Sequence, residues 1–325
     1  MKFPPQNYGL IVDRRWEGNT GIGRYSRELI PRISKIVDGY LDGGDAVSLK
    51  QLVLTSLNGR NINNFYSPGY VPLLHSKNQL ITIHDLILLK PEIVGAKKKF
   101  FFNKVVRPRI KDGIVQVNTI SESSQREIAE WADIKEENIF IVPNGISQAI
   151  LAKGKRLNVI RPSKSLVFVG NMKKHKNFQL FVNAINLLPG SWEINIVGPN
   201  MDIHCIHKRH QVNSYSNIPD IELAEIYSKS SILVNTSTYE GFGMPFLEGG
   251  YLGCKVVHLG VLNTVQEILG SDTFHTGGSH SPMMLADLID QVSKENQNHV
   301  VREYLAKRYS WDVSGNLLKR VLTGK

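Results

Sequence analysis

Short apolar runs recur along this chain with helical patterns between them, and no other feature narrows the fold as far. The runs are YGLIVD (8–13), QLVLTS (51–56), QLITIH (79–84), DGIVQVNTIS (112–121) and NIFIVPNG (138–145), then SLVFVG (165–170), EINIVG (193–198), SILVNTS (231–237) and KVVHLG (255–260). Their apolar character is continuous rather than alternating, which suits parallel strands covered on both faces. Stretches such as TGIGRYSRELIPRISKIV and NFQLFVNAINLL read as helices between them. Strand–helix alternation predicts an α/β chain with doubly wound parallel sheets.

With 325 residues the chain can hold two such units, each with its own core. The basic stretch LAKGKRLNVIRPSK (151–164), which carries Gly and Pro, is the expected linker. The expectation is a first domain over 1–150, a second over 165–305 and a closing helix over 306–325. In that tail Leu317, Leu318, Val321 and Leu322 form an apolar stripe that needs a surface, and the first domain is the candidate. Cys205 and Cys254 are too few for a disulfide framework and lack metal-ligand spacing. No signal-peptide pattern is evident and no apolar run reaches the ~20 residues of a membrane span, so a cytoplasmic location is expected. The net charge of +10 points to an anionic partner: nucleic acid, acidic lipid or a phosphorylated substrate.

The segment that promises chemistry is TYEGFGMPFLEGGYLGCKVV (238–257), which follows SILVNTS. Pro245 suits the first turn of a helix, so Glu240 falls in a loop and Glu248 in the first or second turn. Gly241 and Gly243 let the backbone bend sharply and approach a ligand. The backbone around Gly243, Met244, Pro245 and Phe246 offers N–H groups to phosphate or sugar oxygens. Two carboxylates beside such a turn suit a polyol, because each can accept from several hydroxyls. The competing account is a strand–loop–helix link in which Glu248 offsets the helix dipole.

The string EGFGMPFLE resembles the Glu-x7-Glu motif of glycosyltransferase family 4, whose members are retaining enzymes. Other segments resemble the same family in the same order. NTGIGRYSREL (19–29) is similar to its glycine loop and following helix, and LITIHDLILLKPE (80–92) to its first-domain His-Asp segment. VNTISESSQREI (117–128) and IVPNGI (141–146) resemble the end of its first domain. FVGNMKKHKN (168–177) resembles its phosphate-binding segment, PDIELAEIYSKSSILVNTSTYEGFG (219–243) the run into the carboxylate motif, and RYSWD (308–312) the closing helix. The resemblance covers nearly the whole chain. It implies a GT-B fold, two Rossmann-like doubly wound domains facing across a cleft.

The resemblance also implies a nucleoside diphosphate sugar donor, a glycan or lipid-linked acceptor, and no cofactor or required metal. It gives the donor diphosphate to Lys176, with Asn171 and Lys173 alongside and the backbone of 243–246 helping; lysine is a suitable point charge there. Glu248 is implied to hold the ribose, Glu240 the donor sugar, and His84 the reacting sugar, its imidazole donating to a hydroxyl. Gly21 and Gly23 would approach the diphosphate and the acceptor, with Arg24 and Asp85 nearby. Each has a plainer reading: a tight turn for the glycines, a helix cap for Asp85, a solvated basic turn for 173–177. The chain departs from the family at two positions. Many members carry Arg at the position of Asn171 and others at that of His175, and neither arginine is present here. GIGRY with IHDL is similar to bacterial mannosyl- and rhamnosyl-type enzymes of surface polysaccharide assembly, which implies GDP-mannose, with UDP-sugars open.

KKKFFFNKVVRPRIK (97–111) has three consecutive phenylalanines and no acid. It reads either as a surface for an anionic membrane, on the cytoplasmic face of the inner membrane, or as a packed helix with solvated lysines that Pro108 would break. No D-x-D is present, which argues against the metal-dependent GT-A type, and no P-loop motif exists. His204, His207 and His210 around Cys205 read as a surface segment. The rival functions are a GT-B-shaped sugar-nucleotide epimerase and a non-catalytic sugar- or membrane-binding protein; nucleic acid is not an expected partner.

Overall fold

The computed structural model describes residues 9–18, 20–44, 46, 62–76, 78–90, 96–156, 161–295 and 301–324. The expected strand QLVLTS lies outside them, as do residues 91–92 of the His-Asp segment and residues 157–160 of the expected linker. The chain divides into two compact units, Met1–Gly145 with Tyr309–Lys325, and Ile146–Arg308.

The first unit holds a six-stranded, all-parallel sheet. Its strands are β1 (Leu10–Asp13), β2 (Gly39–Leu41), β3 (Asn64–Ser67), β4 (Asn78–Thr82), β5 (Val115–Thr119) and β6 (Ile139–Ile141), in the order β2-β1-β3-β4-β5-β6. Leu10 pairs with Asn64, and Tyr66 with Leu80. From β1 the chain first steps outward to β2 and then returns to the other side at β3, so the strand order reverses between β1 and β3. The helix Gly21–Ile33 begins at Thr20, whose Oγ1 accepts from the Gly23 N–H at 3.1 Å, and it buries Tyr25, Leu29, Ile30 and Ile33. The helix Trp311–Thr323 packs on it, burying Trp311, Leu318 and Leu322, with Arg32 Nε donating to Asp312 at 2.8 Å.

Residues 96–111 stay helical through Pro108, against the expectation of a break. A helix over Ala96–Phe101 passes through a π-helical turn, Phe102–Val106, into the helix Arg107–Lys111. Pro108 lacks an N–H, and the wider turn ahead of it places Pro108 at the start of a new helical turn, where none is needed. Phe102, Val106 and Ile110 pack into the core beside Tyr70 and Val117, while Phe100 is 64% exposed.

The second unit repeats the architecture with β7 (Ser165–Val169), β8 (Glu193–Val197), β9 (Gln211–Tyr215), β10 (Ile232–Asn235), β11 (Lys255–His258) and β12 (Phe274–His275). The order is β12-β11-β10-β7-β8-β9, all parallel, and Ile232 pairs with both Leu166 and Lys255. Here the order reverses between β7 and β10. Phe168, Phe178 and Phe181 pack ring against ring within a core that also takes Trp192, Ile194 and Val234. The helix Gln148–Gly154 belongs to this unit, and its Lys153 pairs with Glu225 at 2.7 Å on the helix Asp220–Lys229. Four strands, β2, β3, β9 and β12, had no counterpart among the expected runs. Among the described residues, no helix is long and apolar enough to cross a membrane.

Candidate active site

In open parallel sheets, ligands bind beyond the carboxyl ends of the strands where the strand order reverses. In the second unit that place is beyond β7 and β10. The loop after β7 carries a 3-10 turn, Lys174–Lys176, and the loop after β10 runs into the helix Met244–Tyr251. The two loops are sewn together. Thr236 Oγ1 donates to the carbonyls of Lys176 (2.9 Å) and Asn177 (3.0 Å), and the Thr238 N–H donates to the His175 carbonyl at 2.8 Å. Across this seam Lys176 Nζ donates to Glu240 Oε1 at 2.5 Å, and Ser237 Oγ donates to the same oxygen at 2.8 Å. The two charged side chains are only 13% and 11% exposed, so the pair is shielded from water without being sealed.

Gly243 stands at the start of the helix Met244–Tyr251 with φ of +93°, a conformation that L side chains avoid, and an added Cβ would overlap the Phe246 ring. Pro245 lies in the first turn, as its missing N–H favours, and Met244 and Pro245 are half-buried. Glu248 follows one turn on and is 2% exposed. Asn171 Oδ1 accepts from the Lys173 N–H at 3.1 Å, a local turn, and the Lys173 side chain is exposed. His175 is tucked beneath the loop: its Nδ1 is buried with no hydrogen bond. Burial, then the neighbouring Lys176 charge, holds its imidazole below its ordinary pKa, with Glu240 pulling the other way. It therefore does not present a cation where some family members have arginine; Lys173, Lys174 and Lys176 carry the positive charge of this turn.

In the first unit the reversal lies beyond β1 and β3. Gly21 and Gly23 open the helix after β1, and the Arg24 N–H bonds the Thr20 carbonyl at 2.9 Å in its first turn. His84 follows β4, and its Nε2 lies 3.0 Å from the Pro68 carbonyl oxygen after β3. A carbonyl can only accept, so Nε2 carries the proton and Nδ1 keeps its lone pair. In this tautomer Nδ1 can accept from a hydroxyl but not donate to one, the reverse of the donating imidazole expected from the sequence. Burial pushes the imidazole down to about 4, partly opposed by the Pro68 carbonyl, so the ring is neutral at pH 7. Asp85 Oδ1 accepts from the Ile87 N–H at 2.9 Å, a local cap. The structure thus gathers Lys176, Glu240, Gly243 and Glu248 at one reversal, and His84 with the glycine-led helix at the other.

Residues 163–295 match the model of the family described as "Glycosyl transferases group 1". That stretch is similar to glycosyl transferases group 1 and lies within the second unit. The chain's curated relatives are distant. The D-inositol 3-phosphate glycosyltransferase of Paenarthrobacter aurescens is 23% identical over 250 residues, covering 70% of this chain and 60% of that protein. The O-antigen chain mannosyltransferase RfbU of Salmonella typhimurium is 25% identical over 188 residues, covering 55% and 50%. The match therefore spans no more than about three fifths of either relative's length. Among solved structures, Anabaena HepE in complex with UDP-glucose superposes with a TM-score of 0.71 at 14% identity, over 97% of this chain and 99% of that one. The two six-stranded parallel sheets are those of the GT-B fold.

Several side chains and one backbone group support the candidate site residues without having been singled out in the sequence. Ser237 and Thr236 build the seat of Glu240 and Lys176, and the Pro68 carbonyl and Tyr25 build that of His84. Tyr25 sits in the string GIGRY, the one signal that pointed near it; a carbonyl such as that of Pro68 leaves no residue-type signal. Among the described residues no group of three or more His, Cys, Asp or Glu could hold a metal ion.

Proposed function

We propose that this chain is a retaining hexosyltransferase that moves a hexose from a nucleoside diphosphate sugar to a glycan or lipid-linked acceptor. The Lys176–Glu240 pair at the β7/β10 reversal carries the proposal. A cation and a carboxylate that neutralise each other are best parted by a ligand bringing both an anion and hydroxyls. A sugar nucleotide does so, with its diphosphate for Lys176 and its sugar hydroxyls for Glu240. The backbone from Gly243 to Phe246 adds N–H groups and the positive end of the helix, Asn171 and Lys173 flank the diphosphate, and Glu248 takes the ribose. His84 accepts from a hydroxyl of the reacting sugar. Gly21 and Gly23 come close to the diphosphate, with Arg24 and Asp85 toward the acceptor. In the transfer the bond between the anomeric carbon and the diphosphate oxygen breaks. The acceptor oxygen takes its place on the same face, and the leaving phosphate takes the acceptor proton. In this reading Lys176 and the backbone amides balance the leaving charge, with no cofactor or metal required.

Relatives named as mannosyltransferases support GDP-mannose as donor. A UDP-hexose is the second reading, supported by the likeness to HepE, which is solved with UDP-glucose. Phe100, exposed among exposed Lys98, Lys99 and Lys104, supports a peripheral position on the anionic cytoplasmic face of the inner membrane.

Thermal unfolding with GDP, UDP, dTDP and their sugars, on wild type and Glu248→Ala, tests the donor. One base should raise the melting temperature, a ligand at ~100 times its Kd adding roughly 2.7 kcal/mol, and the rise should shrink in the variant. No rise with any of them at millimolar concentration would overturn the proposal. A donor converted to its epimer without acceptor would replace transfer with epimerisation.

A further inference from the structure

Beneath His84 lies a chain of polar groups that the transfer chemistry does not use. Tyr25, Tyr66, Thr82 and Asn118 are all completely buried. Asn118 Nδ2 donates to the Tyr25 hydroxyl at 3.0 Å, and that hydroxyl donates to the Val142 carbonyl at 3.1 Å. Thr82 Oγ1 donates to Asn118 Oδ1 at 3.0 Å, which leaves its lone pair for the Tyr66 hydroxyl at 3.3 Å. Each proton has one direction, and the chain ends on a backbone carbonyl just past β6. Burial raises the pKa of both phenols, so both hydroxyls stay protonated and able to donate. The network crosses β3, β4 and β5 at their carboxyl ends, the edge on which His84 stands.

Its product is a fixed Tyr25 ring. That ring meets His84 edge to face, with centroids 4.8 Å apart and planes at 77°. On the other side, the imidazole is held by the Pro68 carbonyl. The peptide carrying that carbonyl is itself fixed, because the Trp16 indole lies so close over Gly69 that a Cβ there would overlap it. A phenylalanine or leucine would fill the Tyr25 position as well if only packing mattered. A hydroxyl anchored at both of its hydrogen-bonding capacities sets the ring's orientation, and a fully satisfied buried network gives rigidity rather than bulk stability.

We propose that Tyr25 is the positioning residue of His84, holding the imidazole in one orientation and one tautomer for the reacting sugar. This rests on the assignment of His84 to that sugar. The test uses the full chain with 15N-labelled histidine, comparing wild type, Tyr25→Phe, Tyr25→Leu and Asn118→Ala. In the wild type, NMR should show His84 protonated on Nε2 and titrating well below its ordinary value near 6.5. Tyr25→Leu should raise the midpoint by at least roughly one unit and mix the tautomers, as water reaches the ring. Tyr25→Phe and Asn118→Ala should give smaller shifts in the same direction. With the donor found above, each variant should lower kcat, ~10-fold or more for leucine, with donor KM changed far less.

An unchanged tautomer and midpoint in Tyr25→Phe and Asn118→Ala, both folded, would overturn the proposal, and these two variants decide it even if Tyr25→Leu does not fold. A changed His84 signal in a protein that transfers no sugar would keep the positioning role and defeat the functional assignment instead.

Discussion

Lys176 and Glu240 meet from loops far apart in sequence, and the meeting divides their labour. Removing the lysine leaves Glu240 in a shielded place with Ser237 as its remaining neighbour in this cluster. Lys176→Ala should therefore weaken binding of the bare nucleoside diphosphate by ~10–100-fold. Glu240→Gln keeps the size and the hydrogen bond from Ser237 but not the charge. It should leave that affinity within a few fold while lowering turnover by ~100-fold or more. Calorimetric titration with the diphosphate alone, beside steady-state rates, separates the two; equal losses of affinity would contradict the division.

His84 and His258 give a pH dependence whose sign is fixed, because burial pushes both down to about 4, for His258 with the help of His275. Between their ordinary value near 6.5 and about 4 the unfolded chain binds more protons than the folded one, so stability falls as the pH is lowered through that window. Their contribution is complete above 6.5 and lost below 4. Each accounts for up to about 3 kcal/mol, less for the half-buried His84. Urea unfolding from pH 7 to 4 should show the loss, and His258→Gln should flatten it. At this scale, the sequence singled out residues marked by their identity at a set offset from a strand, Lys176, Glu240, Gly243 and Glu248, and the structure places them beyond one reversal. It did not single out Tyr25 or Pro68, which meet His84 through a ring contact and a carbonyl.

Elements were legible where both faces are covered. β7, β8, β10 and β11 sit inside their sheet or beside an edge and are largely buried on both faces, so their apolar runs stand out. β2, β9 and β12 are edge or outermost strands with exposed positions, and need no such run. β3 is central yet reads NFYS, because its polar groups are satisfied inside the sheet, as in the Tyr66–Thr82 bond. The linker stretch hides a similar case in Arg161. Its guanidinium is buried and donates to the carbonyls of Ser230 (2.9 Å) and Leu252 (2.5 Å), just past the helices Asp220–Lys229 and Met244–Tyr251. One side chain thereby closes two helix ends, which otherwise leave carbonyls unsatisfied. Arg161→Leu should destabilise the second unit by roughly 2–4 kcal/mol in urea unfolding. Arg161→Lys should recover less than half, since an ammonium lacks the fork.

At the scale of the molecule, each unit has its own sheet and its own core, so each should unfold as its own cooperative event. Scanning calorimetry should then resolve two transitions, and single substitutions should say which is which. In the first unit, Arg15 forks onto Asp13 just past β1 with two bonds of 2.8 Å, both side chains at most 1% exposed. Arg15→Met leaves a buried carboxylate without its cation and should lower one transition, at a loss of about 3–5 kcal/mol. Arg161→Leu should lower the other. In the proposed reading a nucleoside diphosphate takes its charged contacts from Lys176 and the helix at Met244, both in the second unit. It should therefore raise the Arg161-sensitive transition and leave the Arg15-sensitive one in place. A ligand that raised both equally would contradict the assignment of the diphosphate chiefly to Lys176 and the helix at Met244.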